Sequence, residues 1–235
     1  MLIKGEGIIF RTTKYGESSV IIDILSPHQG LNTYILGGVR KRKSKLASII
    51  QVLNMIDFVS YFKDNDSISR IKEVQLNHVY IDFPFNVVKS TLGLFLTEIC
   101  QKSLKGGDQF EDVYFYIKSK FIELDETQES VAHFHIAFLI DLLPYLGIGI
   151  TNNYNASNQH FNLQNGVFGI ESSGQFVLDL ETSIHLHSYL KGQPPEPINK
   201  TERKNVLSAM LDFYRYHIDD FGVIKSLDVL ESLYE

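Results

Sequence analysis

The sequence predicts an α+β protein, with a five-stranded β-barrel at the N-terminus followed by a helical domain. Three observations carry this expectation. The first eighty residues hold five short β-branched and aromatic runs separated by turn signals, the pattern of a small all-β barrel or sandwich. From Pro84 onward the apolar residues recur at helical rather than strand spacing. Charge divides at the same place: residues 1–80 hold 11 Lys+Arg against 7 Asp+Glu, and residues 81–235 hold 11 against 21. A whole-chain charge of −6 over 235 residues therefore hides a basic first part and an acidic remainder, two regions suited to different partners. The expected domains are residues 1–80 and 81–235.

In chain order, residues 3–11 form the first strand, and Tyr15-Gly16-Glu17 turns it. Residues 18–26 carry Val20-Ile21-Ile22 and Ile24-Leu25, and Pro27-His28-Gln29-Gly30 ends them. Residues 31–36 are the third strand. Residues 52–62 and 71–81 supply two more, separated by Lys63-Asp64-Asn65-Asp66-Ser67. The oligonucleotide-binding (OB) barrel is the five-stranded member of this architectural group. Val88, Leu92, Phe95, Leu96 and Ile99 then mark a helix with Pro84 near its first turn. Asp108 is placed to cap a second helix bearing Phe110, Val113, Tyr114, Ile117 and Phe121. Thr127 is placed to cap a third, with Val131, Phe134, Phe138 and Leu142, ended by Pro144 and Gly147.

Residues 148–178 are polar and Asn-rich, and Asn165-Gly166 between apolar residues signals a short hairpin. The fold class is thus an OB-type barrel followed by an all-helical domain with a small polar hairpin lobe. A helix over 183–190, a stiff Pro-rich loop over 192–197, a helix opened by Asn199 or Thr201, and a short last helix capped by Ser226 complete the chain.

Composition narrows the function. Hydrophobic residues make up 44% and charged residues 21%, the balance of an ordinary globular protein. No apolar run reaches the roughly 18 residues that a membrane span needs. The start lacks a signal-peptide layout, so the expected location is cytoplasmic. The single cysteine, Cys100, excludes an internal disulfide and a multi-thiolate zinc site.

The strongest local signal is Gly37-Gly38-Val39-Arg40-Lys41-Arg42-Lys43-Ser44-Lys45. Five of the six positions from 40 to 45 are cations, with no carboxylate between Asp23 and Asp57. Such a run is commonly a solvated loop. Placed between strands of an OB-type barrel, however, it suits backbone phosphates. Arg11 and Lys14 extend the patch, and Tyr34 is a candidate for stacking bases, as is Tyr15. Phe10 reads as core. The spacing from Gly37 to Arg42-Lys43-Ser44 approaches the phosphate-cradling loop of nucleotide hydrolases. Arg42, however, occupies the position where a glycine must let the backbone curl round phosphate.

His133/His135 and His185/His187 form two His-x-His pairs, but residues two apart on a helix point to different sides. No nucleophile elbow occurs. Nothing here forms an active site, so the expectation is a protein without enzymatic activity.

Several of these stretches together resemble the bacterial RecO family of DNA-repair recombination mediators. They are Tyr15-Gly16-Glu17-Ser18, His28 with Gly30, and Gly37-Gly38-Val39-Arg40 with Ser44. Near the C-terminus they are Leu211, Tyr214, Tyr216 and His217, then Lys225-Ser226-Leu227 with Val229-Leu230. The resemblance implies an OB domain and a helical domain that bind single- and double-stranded DNA and promote annealing. With RecR it implies loading of RecA onto DNA coated by single-stranded-DNA-binding protein (SSB). DNA contacts would fall on Arg40, Lys41, Arg42, Lys43 and Lys45. The helical domain would receive the acidic, Phe-ending SSB tail, with Arg215, His217 and Lys225 as candidates. Many members carry a four-cysteine zinc module after the third helix. Residues 147–178 here contain no cysteine, which argues against zinc and leaves the hairpin to hold the lobe by packing. The alternative reading is a protein–protein adaptor whose basic β domain docks an acidic partner.

Overall fold

Five strands, β1 (Leu2–Tyr15), β2 (Ser19–Ser26), β3 (Gly30–Leu36), β4 (Met55–Tyr61) and β5 (Ser69–Leu76), close into a barrel in the order β1-β2-β3-β5-β4. The expected barrel-then-helices architecture is present. This computed structural model describes residues 2–39, 44–61, 68–104 and 110–232. All neighbouring strands are antiparallel except β3 and β5.

Closure depends on β1, whose first half pairs with β4 and second half with β2. A register shift between Ile9 and Arg11 lets the strand coil from one partner to the other. Pairing steps from Lys14 to Val20, Leu36, Ile71 and Ser60, and returns to β1 at Ile3. The return falls eleven residues before the start, which is the stagger that tilted barrel strands require.

Alternate residues point inward, and Ile9, Val20, Ile22, Ile24, Tyr34, Leu36, Ile56, Phe58 and Ile71 form the barrel core. A one-turn helix, α1 (Leu46–Ile49), packs Leu46 and Ile49 against that core.

The helices that follow are α2 (Val87–Ser103), α3 (Phe110–Glu126), α4 (Phe134–Leu142), α5 (Leu180–Leu190), α6 (Lys200–His217) and α7 (Ser226–Ser232). Periodicity changes near residue 81, but packing changes later. By contact the chain forms two compact units: Met1–Thr127 with Ser226–Leu230, and Gln128–Lys225 with Glu231–Glu235. In the first, α2 lies on β1, and α3 on β2 and β3.

Several helix starts differ from the sequence expectation. The helix expected with Pro84 near its first turn starts at Val87, and Asn86 caps it by accepting from the Lys89 N–H at 3.1 Å. Thr127 does not cap α4, because its N–H donates to the Glu123 carbonyl and finishes α3. Asp108 lies outside the described residues. Ser226 donates through both its N–H and its hydroxyl to the Glu98 carboxylate, at 2.8 and 2.6 Å. Asn199 and Glu202 form the reciprocal capping box of α6.

The connection from β5 to α2 is held by a buried polar device. The Asp125 carboxylate, 0% exposed, accepts the N–H groups of Ile81, Asp82 and Phe83 at 2.7, 2.9 and 2.7 Å. Lys89, also buried, donates to the Asp125 and Thr127 carbonyls and pairs with Asp82 at 2.7 Å. That ion pair holds the Asp82 carboxyl below its usual range. Tyr80 and Phe83 are thereby turned inward, ring against ring at 4.6 Å.

In the second unit, β6 (His160–Asn162) and β7 (Val167–Gly169) form the expected hairpin, with Gly166 at φ +66°. Residues 151–153 lie alongside as a partial third strand. The Thr151 N–H donates to the Gly166 carbonyl, and Asn153 both donates to and accepts from the Phe168 backbone, at 2.9 and 2.8 Å. Tyr154 stacks on His187 at 4.3 Å, and Phe161, Phe168 and Phe213 close the interior.

Candidate nucleic-acid interface

Arg40, Lys41, Arg42 and Lys43 lie outside the described residues, but the residues on either side are placed. Val39 is a member of the barrel core, and Leu46 packs against it. The cationic run thus begins and ends at core anchors. Ser44 Oγ accepts the Leu46 N–H at 3.2 Å, so this serine shapes the start of α1. Lys45 is exposed.

The two glycines at the head have different jobs. Gly38 adopts φ +78°, which only glycine takes without strain. Gly37 does not adopt a positive φ. A Cβ there would lie 2.9 Å from Nη2 of Arg70, so the guanidinium, the mobile end of an exposed side chain, would have to shift to admit one.

Strand pairing assembles the outer surface of this barrel end. Thr13, Ile21, Ile35, Arg70 and Tyr61 follow one another across β1, β2, β3, β5 and β4. Ile21 and Ile35 are partly exposed, whereas Thr13, Arg70 and Tyr61 are exposed. Beyond this row, Tyr15 faces Ser19, and Gly37 lies next to Ser19. Lys14 and Tyr15 are both exposed here. The surface combines cations, aromatic rings and an aliphatic floor, the components of a single-strand platform. Ile21 and Ile35 lie on the strands 2–3 face that OB barrels use for oligonucleotides, and the row continues round the closed barrel onto β5 and β4.

Two candidate residues change standing. Tyr34 is 2% exposed and packs edge-on against Phe58 with centroids 5.2 Å apart. Its hydroxyl donates to Gln29, and burial pushes its pKa up to about 12. A base cannot reach that ring, because Tyr34 shares the inward face of β3 with Leu36. Arg11 is exposed, but its Nε lies 2.7 Å from Asp23, which also accepts from Thr33 and Gln101. That carboxylate cancels part of its charge.

Sequence alone does not single out Arg70, because it stands far along the chain from the cationic run, among serines, isoleucines and the Lys72-Glu73 pair. It has no ion pair among the described residues, and only the β3–β5 pairing brings it to the basic loop.

A second concavity of about 870 Å³ lies over β1, β4 and β5. Glu6, Asp57 and Glu73 outnumber Lys4 among its charges, and so disfavour phosphate.

In the second unit, Arg215 is exposed at the end of α6 and paired with Asp212. The Nε2–H of His217 donates to the Leu163 carbonyl at 3.0 Å, and its ring lies 4.2 Å from Phe213. His217 thus ties α6 to the hairpin lobe while staying partly exposed. Lys225 is exposed. Two members of the His-x-His pairs have side-chain partners: His133 Nδ1 lies 2.6 Å from the Tyr189 hydroxyl, and His187 Nδ1 lies 2.6 Å from Asn152. Burial lowers the His135 pKa to about 3. Among the described residues, no three His, Cys, Asp or Glu side chains are grouped to hold a metal. No described helix is long and apolar enough to cross a membrane.

Comparison with known proteins covers nearly the whole chain. Residues 1–80 match the family model described as recombination protein O N terminal, and residues 84–223 match recombination protein O C terminal. Curated relatives named DNA repair protein RecO align over 100% of both chains. Identity is 27% for the Bacteroides fragilis protein, 29% for that of Phocaeicola vulgatus and 30% for that of Christiangramia forsetii.

Proposed function

The chain belongs to the recombination protein O family of DNA repair proteins, and from that premise we propose that it is a DNA-binding recombination mediator. It grips single- and double-stranded DNA through the basic loop and the exposed residues at this end of the barrel. By holding backbones and leaving the pairing edges of the bases free, it promotes annealing of complementary strands. With a RecR-like partner it loads a RecA-like recombinase onto SSB-coated DNA, in the cytoplasm and at the nucleoid. It performs this work without catalysis or a bound metal. Arg215 and Lys225 are the cations offered to the acidic SSB tail.

The single observation that supports DNA as ligand is positional. The cationic run starts and ends at core-anchored residues, Val39 and Leu46, beside exposed Lys14 and Tyr15 on an OB-type barrel. Phosphate neutralisation gives a log–log salt slope of about −0.7 per contact on single strands. Replacing Arg40, Lys41, Arg42 and Lys43 with Ala should therefore flatten the slope by up to about 3 in fluorescence anisotropy. An unchanged affinity and slope would remove the loop from the interface. If the wild-type chain ignored DNA while a protein partner was lost in the mutant, the adaptor reading would replace this one. DNA-dependent ATP hydrolysis abolished by Lys43→Ala would overturn the non-enzymatic assignment.

A further inference from the structure

We infer that Arg70 and Tyr61 form a phosphate-and-base grip on single-stranded DNA, extending the interface across the barrel from the basic loop to the β4–β5 edge. The inference rests on the DNA-binding reading above. Three features of the structure support it.

The Arg70 guanidinium lies against Gly37. Gly37 has an ordinary backbone conformation, so an alanine would be tolerated by φ and ψ there. Its missing side chain instead leaves the space that the guanidinium fills, 2.9 Å from where a Cβ would stand. The guanidinium is thereby parked beside the first residues of the cationic run. Its charge is also uncompensated. Arg11 is paired with Asp23 and Lys72 with Glu73, whereas Arg70 has no carboxylate partner among the described residues. An exposed guanidinium with no carboxylate partner among the described residues is suited to forked contact with phosphate.

Tyr61 is the residue paired with Arg70 across β4 and β5, and both are exposed on the outer face. Directly opposed residues have Cβ atoms about 5 Å apart. A strand crossing this surface can therefore place a phosphate on the guanidinium and a base on the ring. The neighbouring floor, Ile35 and Ile21, is aliphatic and partly exposed. The row offers no carboxylate to repel the strand. Tyr15, at the far end, provides a second ring for the next part of the strand.

The experiment uses the full chain and a fluorescein-labelled oligo-dT, with anisotropy followed across a salt series. Arg70→Ala should bind about tenfold more weakly, the scale of one charge-assisted hydrogen bond, and should lower the salt slope by about 0.7. Tyr61→Ala should weaken binding about tenfold at every salt concentration with the slope unchanged, because stacking releases no counterions. Gly37→Ala keeps every charge but pushes the guanidinium aside, and should weaken binding less than Arg70→Ala does.

If the wild-type chain binds and Arg70→Ala matches it in affinity and slope, the grip is wrong while the loop-based reading survives. Tyr61→Ala at wild-type affinity would likewise remove the base contact. Wild-type affinity in Gly37→Ala would show that the parked position is irrelevant. A wild-type chain that fails to bind oligo-dT overturns both proposals together. Arg70→Lys should recover the slope but only part of the affinity, which separates charge from fork geometry.

Discussion

Replacing Asp125 with Asn is the sharpest test of how the first unit is held together. The carboxylate is fully buried and accepts three backbone N–H groups, one on Oδ2 from Ile81 and two on Oδ1 from Asp82 and Phe83. Asparagine keeps the size but offers one acceptor oxygen. The less costly flip keeps that oxygen toward Asp82 and Phe83, leaving the Ile81 N–H facing an amide NH₂. One stranded donor costs about 1–3 kcal/mol, and two charge-assisted bonds become neutral at about 1 kcal/mol each. The sum is about 3–5 kcal/mol, in line with breaking other buried charged clusters.

At roughly 2–4 °C per kcal/mol for a chain of this size, thermal unfolding followed by circular dichroism should shift down by about 10 °C. Limited proteolysis should cut the 77–86 connection before the barrel. A shift below about 3 °C with unchanged proteolysis would refute the assignment of this carboxylate as the connection's anchor.

Tyr34→Phe removes a hydroxyl bond to Gln29 from an enclosed ring. It should leave oligo-dT affinity within error while lowering stability by about 1 kcal/mol in urea titration, and a loss of binding would return Tyr34 to the interface. Asn153→Ala cuts both bonds to the Phe168 backbone. It should raise amide exchange across residues 151–169 by about 1–3 kcal/mol of local stability and leave barrel amides alone. His135 has its pKa depressed from 6.5 to about 3 by burial, so its contribution is fully present above pH 6.5 and lost progressively as pH falls toward 3. Acid titration should destabilise the second unit by an amount on the order of 4 kcal/mol at pH 3, and His135→Gln should blunt that dependence.

Much of the fold was legible because it is written in short-range patterns. Apolar, β-branched runs bounded by turn signals mark β2 and β3, Asn165-Gly166 marks the hairpin turn, and Asn199 or Thr201 marks the start of α6. Each involves residues a few positions apart. The cationic run was equally plain, as was the basic bias of the barrel.

Other features depended on partners distant in the chain. Thr127 has the right type and place for a helix cap, yet it ends α3 because its N–H goes to Glu123 and its carbonyl receives Lys89. The Asp125 anchor joins residues more than forty positions apart. Tyr34 falls on the same face as Leu36, but which face looks inward is set by pairing with β2 and β5.

By itself, then, the sequence determined a five-stranded barrel followed by helices, with a cationic loop after the third strand. Tertiary structure decided which aromatic rings are available to a ligand and which cations are already paired. It also moved the edge of the first compact unit to Thr127 and brought Arg70 beside Gly37. The reason is physical: strand and helix signals are local, whereas exposure and ion pairing depend on which distant segments close over a residue.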